Sequence, residues 1–169
     1  MMKKNCLNFF LNYRTLVIFC ILLSLIAGCK DKQVSPFSKS AEEALSNFEL
    51  APGFRIELIA SEPLIVDPVA MTIDESGRLY VVEMRGMPLN KSGLGRVILL
   101  SDTSHDGKMD KSTVFADSLI LPSGIMRWKK GVIVTDPPKV YYMEDNNGDG
   151  KADIKTLLLT GFDTSNLEG

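Results

Sequence analysis

Two stretches of this chain carry the same pattern, 43 residues apart. "SDTSHDGKMDKSTVF" runs from Ser101 to Phe115 and "EDNNGDGKADIKTLL" from Glu144 to Leu158, and both read D-x-x-x-D-G-K-x-D. A repeat at this spacing constrains the fold more than any single segment does. Each copy must be one supersecondary unit, and neighbouring copies must bury their apolar faces on one another. Placing Arg96–Leu119 on Lys139–Phe162 gives seven identities in 24 positions, among them Val97/Val140, Asp102/Asp145, Asp106/Asp149, Gly107/Gly150 and Asp110/Asp153. Upstream, Pro68 to Gly77 is matched by Pro122 to Gly131, and the extra length of the first copy falls in "MRGMPLNKSGLG", residues 84–95.

Around the repeated turns the chain is a series of short apolar runs. "VAMTI" (69–73) and "RLYVVE" (78–83) flank Asp74–Gly77, a hairpin signal, and "RVILL" (96–100) and "STVFA" (112–116) flank the first Asp-Gly turn. "GIMRW" (124–128) and "GVIVTD" (131–136) are joined by Lys129-Lys130, and "KVYYM" (139–143) and "KTLLL" (155–159) flank the second Asp-Gly turn. This predicts eight strands in two sets of four, with no helix between them. Before them, Ser40 precedes Glu43 by three residues, a capping-box pattern opening a short helix over "SAEEALSNF", with Ala41, Ala44, Leu45 and Phe48 on one side and Pro52-Gly53 as its end. "FRIELIA" (54–60) alternates and predicts a leading strand.

Four strands per 40–45 residues is the period of a β-propeller blade, and propellers use about four to eight blades. The expected fold is therefore all-β, about two four-stranded blades of an incomplete ring, preceded by a signal peptide and a short helix. "TSNLEG" at the C-terminus reads as a link toward a third blade. The expected organisation is a leader over 1–28, a polar tether over 29–40, the helix and leading strand over 41–62, a first blade over 63–119, and over 120–169 a second blade with the start of the next link.

The Asp-rich turns have two readings. An EF-hand-like loop needs oxygen ligands at positions 1, 3, 5, 7 and 9, Gly at 6 and a bidentate Glu at 12. The second turn offers Asp145, Asn147, Asp149 and Asp153 around Gly150; the first offers Asp102, Asp106 and Asp110 around Gly107. Position 12 is Thr in both, Thr156 and Thr113, and neither turn is flanked by helices. The competing reading is a turn in which Asp side chains bind backbone N–H groups and Gly supplies positive φ. In a four-stranded meander both Asp-Gly turns share an end with Asp74–Gly77. The insertion 84–95 and the link 117–123 lie at the other end, where propellers usually carry ligand sites. The loops are thus expected to be architectural and 84–95 to belong to the functional rim.

The N-terminus reads as a targeting segment. Lys3, Lys4 and Arg14 precede "TLVIFCILLSLI" (15–26), too short for a spanning helix, and "LIAGC" (25–29) resembles a bacterial lipobox that makes Cys29 the acylated residue. Several acyl chains on one residue anchor a protein stably. This implies a lipid anchor in the outer membrane, facing the periplasm or the surface. Removing the leader leaves 16 basic and 21 acidic residues, which excludes a general nucleic-acid binder. The three cysteines leave no pair for a disulfide once Cys6 and Cys20 are removed and Cys29 is acylated, and no C-x-x-C-H is present for haem.

"FELAPGFRIELIASEPLIVDPVAMTIDESGRLYVVEMRGMP", "GRVILLSDTSHDGKMDKSTVFADSLILPSGI" and "YYMEDNNGDGKADIKTLLLTGF" together resemble the membrane-bound dehydrogenase β-propellers related to sorbosone and soluble glucose dehydrogenases. The resemblance covers Phe48 to Phe162. It implies oxidation of a sugar or alcohol with pyrroloquinoline quinone, with electrons passing to a cytochrome c, and it places no quinone contact or catalytic base on this chain. Arg85, at the start of the rim insertion, is the candidate to hold an anionic cofactor or a sugar carboxylate through paired donors. His105, the only His, is expected to be solvated; Glu83 and Asp136 are expected to be structural; Trp128, Tyr141 and Tyr142 are expected to pack on strands. Two rival readings are a non-catalytic propeller that binds extracellular glycan or protein, and a calcium-stabilised surface lipoprotein, which would require a genuine stop after Gly169.

Overall fold

The computed structural model describes residues 40–163 apart from 87–89 and 91. The leader, Cys29 and most of the tether lie outside these residues, as does the "TSNLEG" link. Helix α1 (Ala41–Leu45) opens at Ser40, whose Oγ accepts the N–H of Glu43 at 3.0 Å. It ends well before Pro52-Gly53, contrary to the sequence expectation. Ser46 Oγ and Asn47 Nδ2 donate to the carbonyl of Glu43, closing the last turn. None of its residues is buried, and Phe48 is exposed.

The eight expected strands form. Sheet 1 is an antiparallel meander of β1 (Pro68–Ile73), β2 (Leu79–Glu83), β3 (Gly95–Ser101) and β4 (Lys111–Leu119), hydrogen-bonded in that order. Sheet 2 repeats it with β5 (Gly124–Trp128), β6 (Gly131–Asp136), β7 (Lys139–Glu144) and β8 (Ile154–Thr160). Among the described residues the fold is all-β apart from α1, and neither sheet closes on itself. The central strand β3 is apolar without alternation because both its faces are covered, with Val97, Ile98, Leu99 and Leu100 all buried.

The two sheets match residue for residue. The cross-strand row Thr72, Tyr80, Leu99, Thr113 of sheet 1 recurs as Met126, Ile133, Tyr142, Thr156 in sheet 2. Each sheet has a bulge at the same place. Val97 pairs with Ala116 and Ile98 with Val114, which leaves Phe115 over; Val140 pairs with Leu159 and Tyr141 with Leu157, which leaves Leu158 over.

Register also shows how the sheets stack. Tyr80, Val82, Val97, Leu99, Phe115 and Leu119 of sheet 1 form one core with Val132, Val134 and Met143 of sheet 2. The sheet 2 residues are the counterparts of Leu79, Val81 and Leu100, which face the opposite side of sheet 1 and form a second cluster there. The front of one unit therefore packs on the back of the next. This head-to-tail contact leaves one front and one back unmatched by another sheet.

Residues 54–60 are not a strand, which corrects the sequence expectation. Their alternation is real, but a strand needs a ladder partner, and none lies beside them among the described residues. Phe54 is exposed, and only the end of the segment meets the back of sheet 1, where Ala60, followed by Leu64 and Ile65, packs against Val81, Ile98 and Leu100.

Candidate functional rim and the Asp-Gly loops

In an antiparallel meander the β2–β3 connection and the link after β4 emerge at one end. Here they touch: a Cβ on Gly95 would lie 2.6 Å from the ring of Pro122, and one on Gly93 would lie 3.7 Å from the backbone of Ser118. Contact this close leaves no room for a side chain at Gly95 without moving the link. The rim is therefore 84–95 against 117–123, though residues 87–89 and 91 fall outside the described set.

The base of the rim is built on a buried carboxylate. Glu83 ends β2 with 0% of its surface exposed. Its Oε2 accepts from Arg85 Nε at 2.8 Å and from Arg96 Nε at 2.7 Å, and its Oε1 accepts the backbone N–H of Val66 at 2.7 Å. Burial alone would raise its pKa, but the hydrogen bonds from Arg96, Arg85 and Val66 and the charge of Arg96 outweigh it and hold the carboxyl below its ordinary value of 4.5. Arg85, the sequence candidate for an anionic ligand, is thus tied inward. A carboxylate taken side-on by a guanidinium uses Nε with one Nη, and here Nε is committed; the two Nη groups of this side chain, 30% exposed, are left for an end-on contact.

Asp136 occupies the same place in sheet 2. It ends β6 and is buried, and its Oδ1 accepts the N–H groups of Ile120 and Leu121 at 2.8 and 2.7 Å. Glu83 and Asp136 are two versions of one brace. A carboxylate at the end of the second strand of a unit holds the chain that leads into that unit. The sequence alignment missed this pair because the residue types differ and the partners lie 15–17 residues upstream.

The Asp-Gly loops lie at the far end, and their networks are the same. Asp102 takes the N–H groups of His105 and Gly107 on its two oxygens, as Asp145 takes those of Gly148 and Gly150. Asp110 accepts the N–H groups of Thr103 and Ser104, as Asp153 accepts those of Asn146 and Asn147. Asp106 accepts from the N–H of Lys108, as Asp149 does from that of Lys151, and Asn147 Oδ1 accepts the N–H of Asp149. The third residue after the leading Asp, His105 or Gly148, takes positive φ, at 59° and 82°. Backbone N–H donors, Gly107 foremost for Asp102 and Thr103 foremost for Asp110, lower both pKa values. At Asp145 partial burial opposes the shift, and the N–H of Gly150 leads the bonds that overcome it. The carboxylates are thus matched to the loop's own amides, which accounts for the repeated motif as one turn used twice. Among the described residues, no group of three or more His, Cys, Asp or Glu side chains is placed to hold a metal ion.

The remaining candidates are dispersed. His105 is exposed in the first loop, away from the rim. Tyr141 packs on the shared core under Lys155, whose Nζ lies 4.6 Å from the ring centre. Trp128 is half exposed beside Tyr142, whose hydroxyl bonds to Glu144.

The fold and these contacts define a repeat protein of stacked four-stranded sheets. The chain belongs to a family described as a domain of unknown function (DUF7133), which matches residues 40–169. No curated protein and no solved structure matches the chain.

Proposed function

We propose that this chain forms two blades of a lipid-anchored β-propeller of the cell envelope, in a protein that oxidises a sugar or alcohol with pyrroloquinoline quinone and passes the electrons to a cytochrome c. The observation that carries the propeller part is the head-to-tail stacking of two equivalent meanders, with the first strands β1 and β5 adjacent. In such a ring the first strands line the axis, and the 84–95 and 117–123 segments open onto one face. The chemistry rests on the linked sequence motifs, and the lipid anchor on the "LIAGC" sequence ending at Cys29.

Glu83 takes the Nε of Arg85, which leaves only the two Nη groups of this side chain for an anionic ligand, and no reaction step is assigned to this chain. The same contact favours a second reading, a non-catalytic propeller whose rim binds extracellular glycan or protein. Dye reduction by the intact protein, supplied with quinone and calcium and offered sugars and alcohols, separates the two. Quinone-dependent reduction with at least one substrate is expected. No reduction with any of them leaves the binding module.

A further inference from the structure

The segment that fails to form a strand, residues 57–61, repeats against sheet 1 a hydrogen bond and an alanine contact that β4 makes against sheet 2, and the chain after it repeats a second bond. The N–H of Ala152, in the second Asp-Gly loop, donates to the carbonyl of Phe115 at 2.8 Å. The N–H of Met109, the counterpart of Ala152, donates to the carbonyl of Ile59 at 2.9 Å. A second bond repeats in the same way. Ile120, two residues before Pro122, donates its N–H to Asp136, and Val66, two residues before Pro68, donates its N–H to Glu83. Ala60 packs on the back of sheet 1 as Ala116 does on the core shared with sheet 2. By these contacts Glu57–Ser61 stands where Thr113–Asp117 stands.

We infer that residues 57–61 are the fourth strand of a further sheet, whose first three strands are a three-stranded antiparallel unit of the same repeat from polypeptide outside residues 40–163. The space for that unit is present. A cavity of about 440 Å³ lies between Leu58, Ile59 and Ile65 on one side and Met71, Val81 and Leu100 on the other. It corresponds to the place where Tyr80, Val82, Val97 and Leu99 stand against sheet 2. On β1, Val69, Met71 and Ile73 remain 48%, 68% and 59% exposed on this side, an apolar strip that the missing strands would cover. The occupant brings aliphatic or aromatic side chains on its front face and lacks an outer strand of its own. A second copy of this chain is a poor fit. Its sheet 2 carries its own fourth strand, β8, which would have to occupy the place of 57–61.

The inference rests on the propeller half of the proposed function and is independent of the dehydrogenase half. Hydrogen exchange by mass spectrometry on the intact protein from its native source tests it, with sedimentation velocity over a range of concentrations. The expected result is a monomer in which the amides of residues 57–61 are protected to the degree seen in β4, although they bond to no strand among residues 40–163. Exchange of 57–61 at the rate of free chain while β1–β8 stay protected would overturn it. So would protection that appears only as the protein dimerises, which would make a second copy the occupant. Absence of dye reduction would leave this result untouched, so the two readings fail separately.

Discussion

Replacing Glu83 with Gln is expected to lower unfolding stability by about 3 kcal/mol. Removing one partner of a buried ion pair typically costs about 3–5 kcal/mol, because the remaining charge stays desolvated. The low end applies here, since the side chains of Arg85 and Arg96 keep 30% and 27% of their exposure and water screens them in part. Glutamine keeps the shape and can still accept the N–H of Val66, so the loss isolates the charge. The pH dependence follows in sign. The folded carboxyl titrates below its ordinary value of 4.5, so it binds fewer protons in the native state than in the unfolded one. Its stabilisation is complete above that value and is lost as pH falls through the folded pKa. Urea unfolding of the two proteins should differ most at neutral pH and converge in acid. A difference below about 1 kcal/mol at neutral pH would mean that the arginines find other partners and that Glu83 is not the brace of the rim.

Phe115→Ala is expected to cost more, about 3–5 kcal/mol. The ring is 2% exposed and sits at the bulge of β4, where it meets Tyr80 edge to face, with centroids 5.0 Å apart and planes at 89°. Truncation removes buried apolar surface and leaves a cavity between two rigid sheets that cannot collapse around it. It also forfeits the ring pair, worth about 0.5–1.5 kcal/mol beyond area. Denaturant titration followed by far-ultraviolet circular dichroism would read the loss. A cost near that of an exposed substitution, within about 0.5 kcal/mol, would show that the two sheets do not share a core in solution.

The strands were legible because their signals are local. β2 and β3 are apolar runs bounded by Gly, Asp and Arg, and the short turns carry Asp with Gly, paired lysines or paired prolines. The repeat fixed which strands correspond. Two things were hidden, and both depend on distant contacts. Residues 54–60 have the alternation of a strand, yet strand formation depends on a neighbour that local sequence cannot supply. Their kinship with β4 is weak in letters, since "ELIAS" and "TVFAD" share only the alanine. It emerges from the matching bonds of Met109 and Ala152. The brace was hidden for a similar reason. Glu83 and Asp136 differ in length and sit after runs of unequal spacing, and only the N–H groups they accept reveal the common role. Arg85 was picked out for its place in the rim insertion. What sequence could not tell is that a buried carboxylate two residues earlier holds its Nε.

Sheets 1 and 2 are equivalent units stacked in one direction, and the proposed propeller sets them around a common axis. A crystal structure of the intact protein tests it most directly. The expected result is a ring of four-stranded sheets with β1 and β5 lining the axis, another sheet on the free face of Trp128 and Leu158, and residues 57–61 paired as an outer strand. A structure in which the two sheets form a closed two-layer sandwich, with those outer faces bare to solvent, would contradict it.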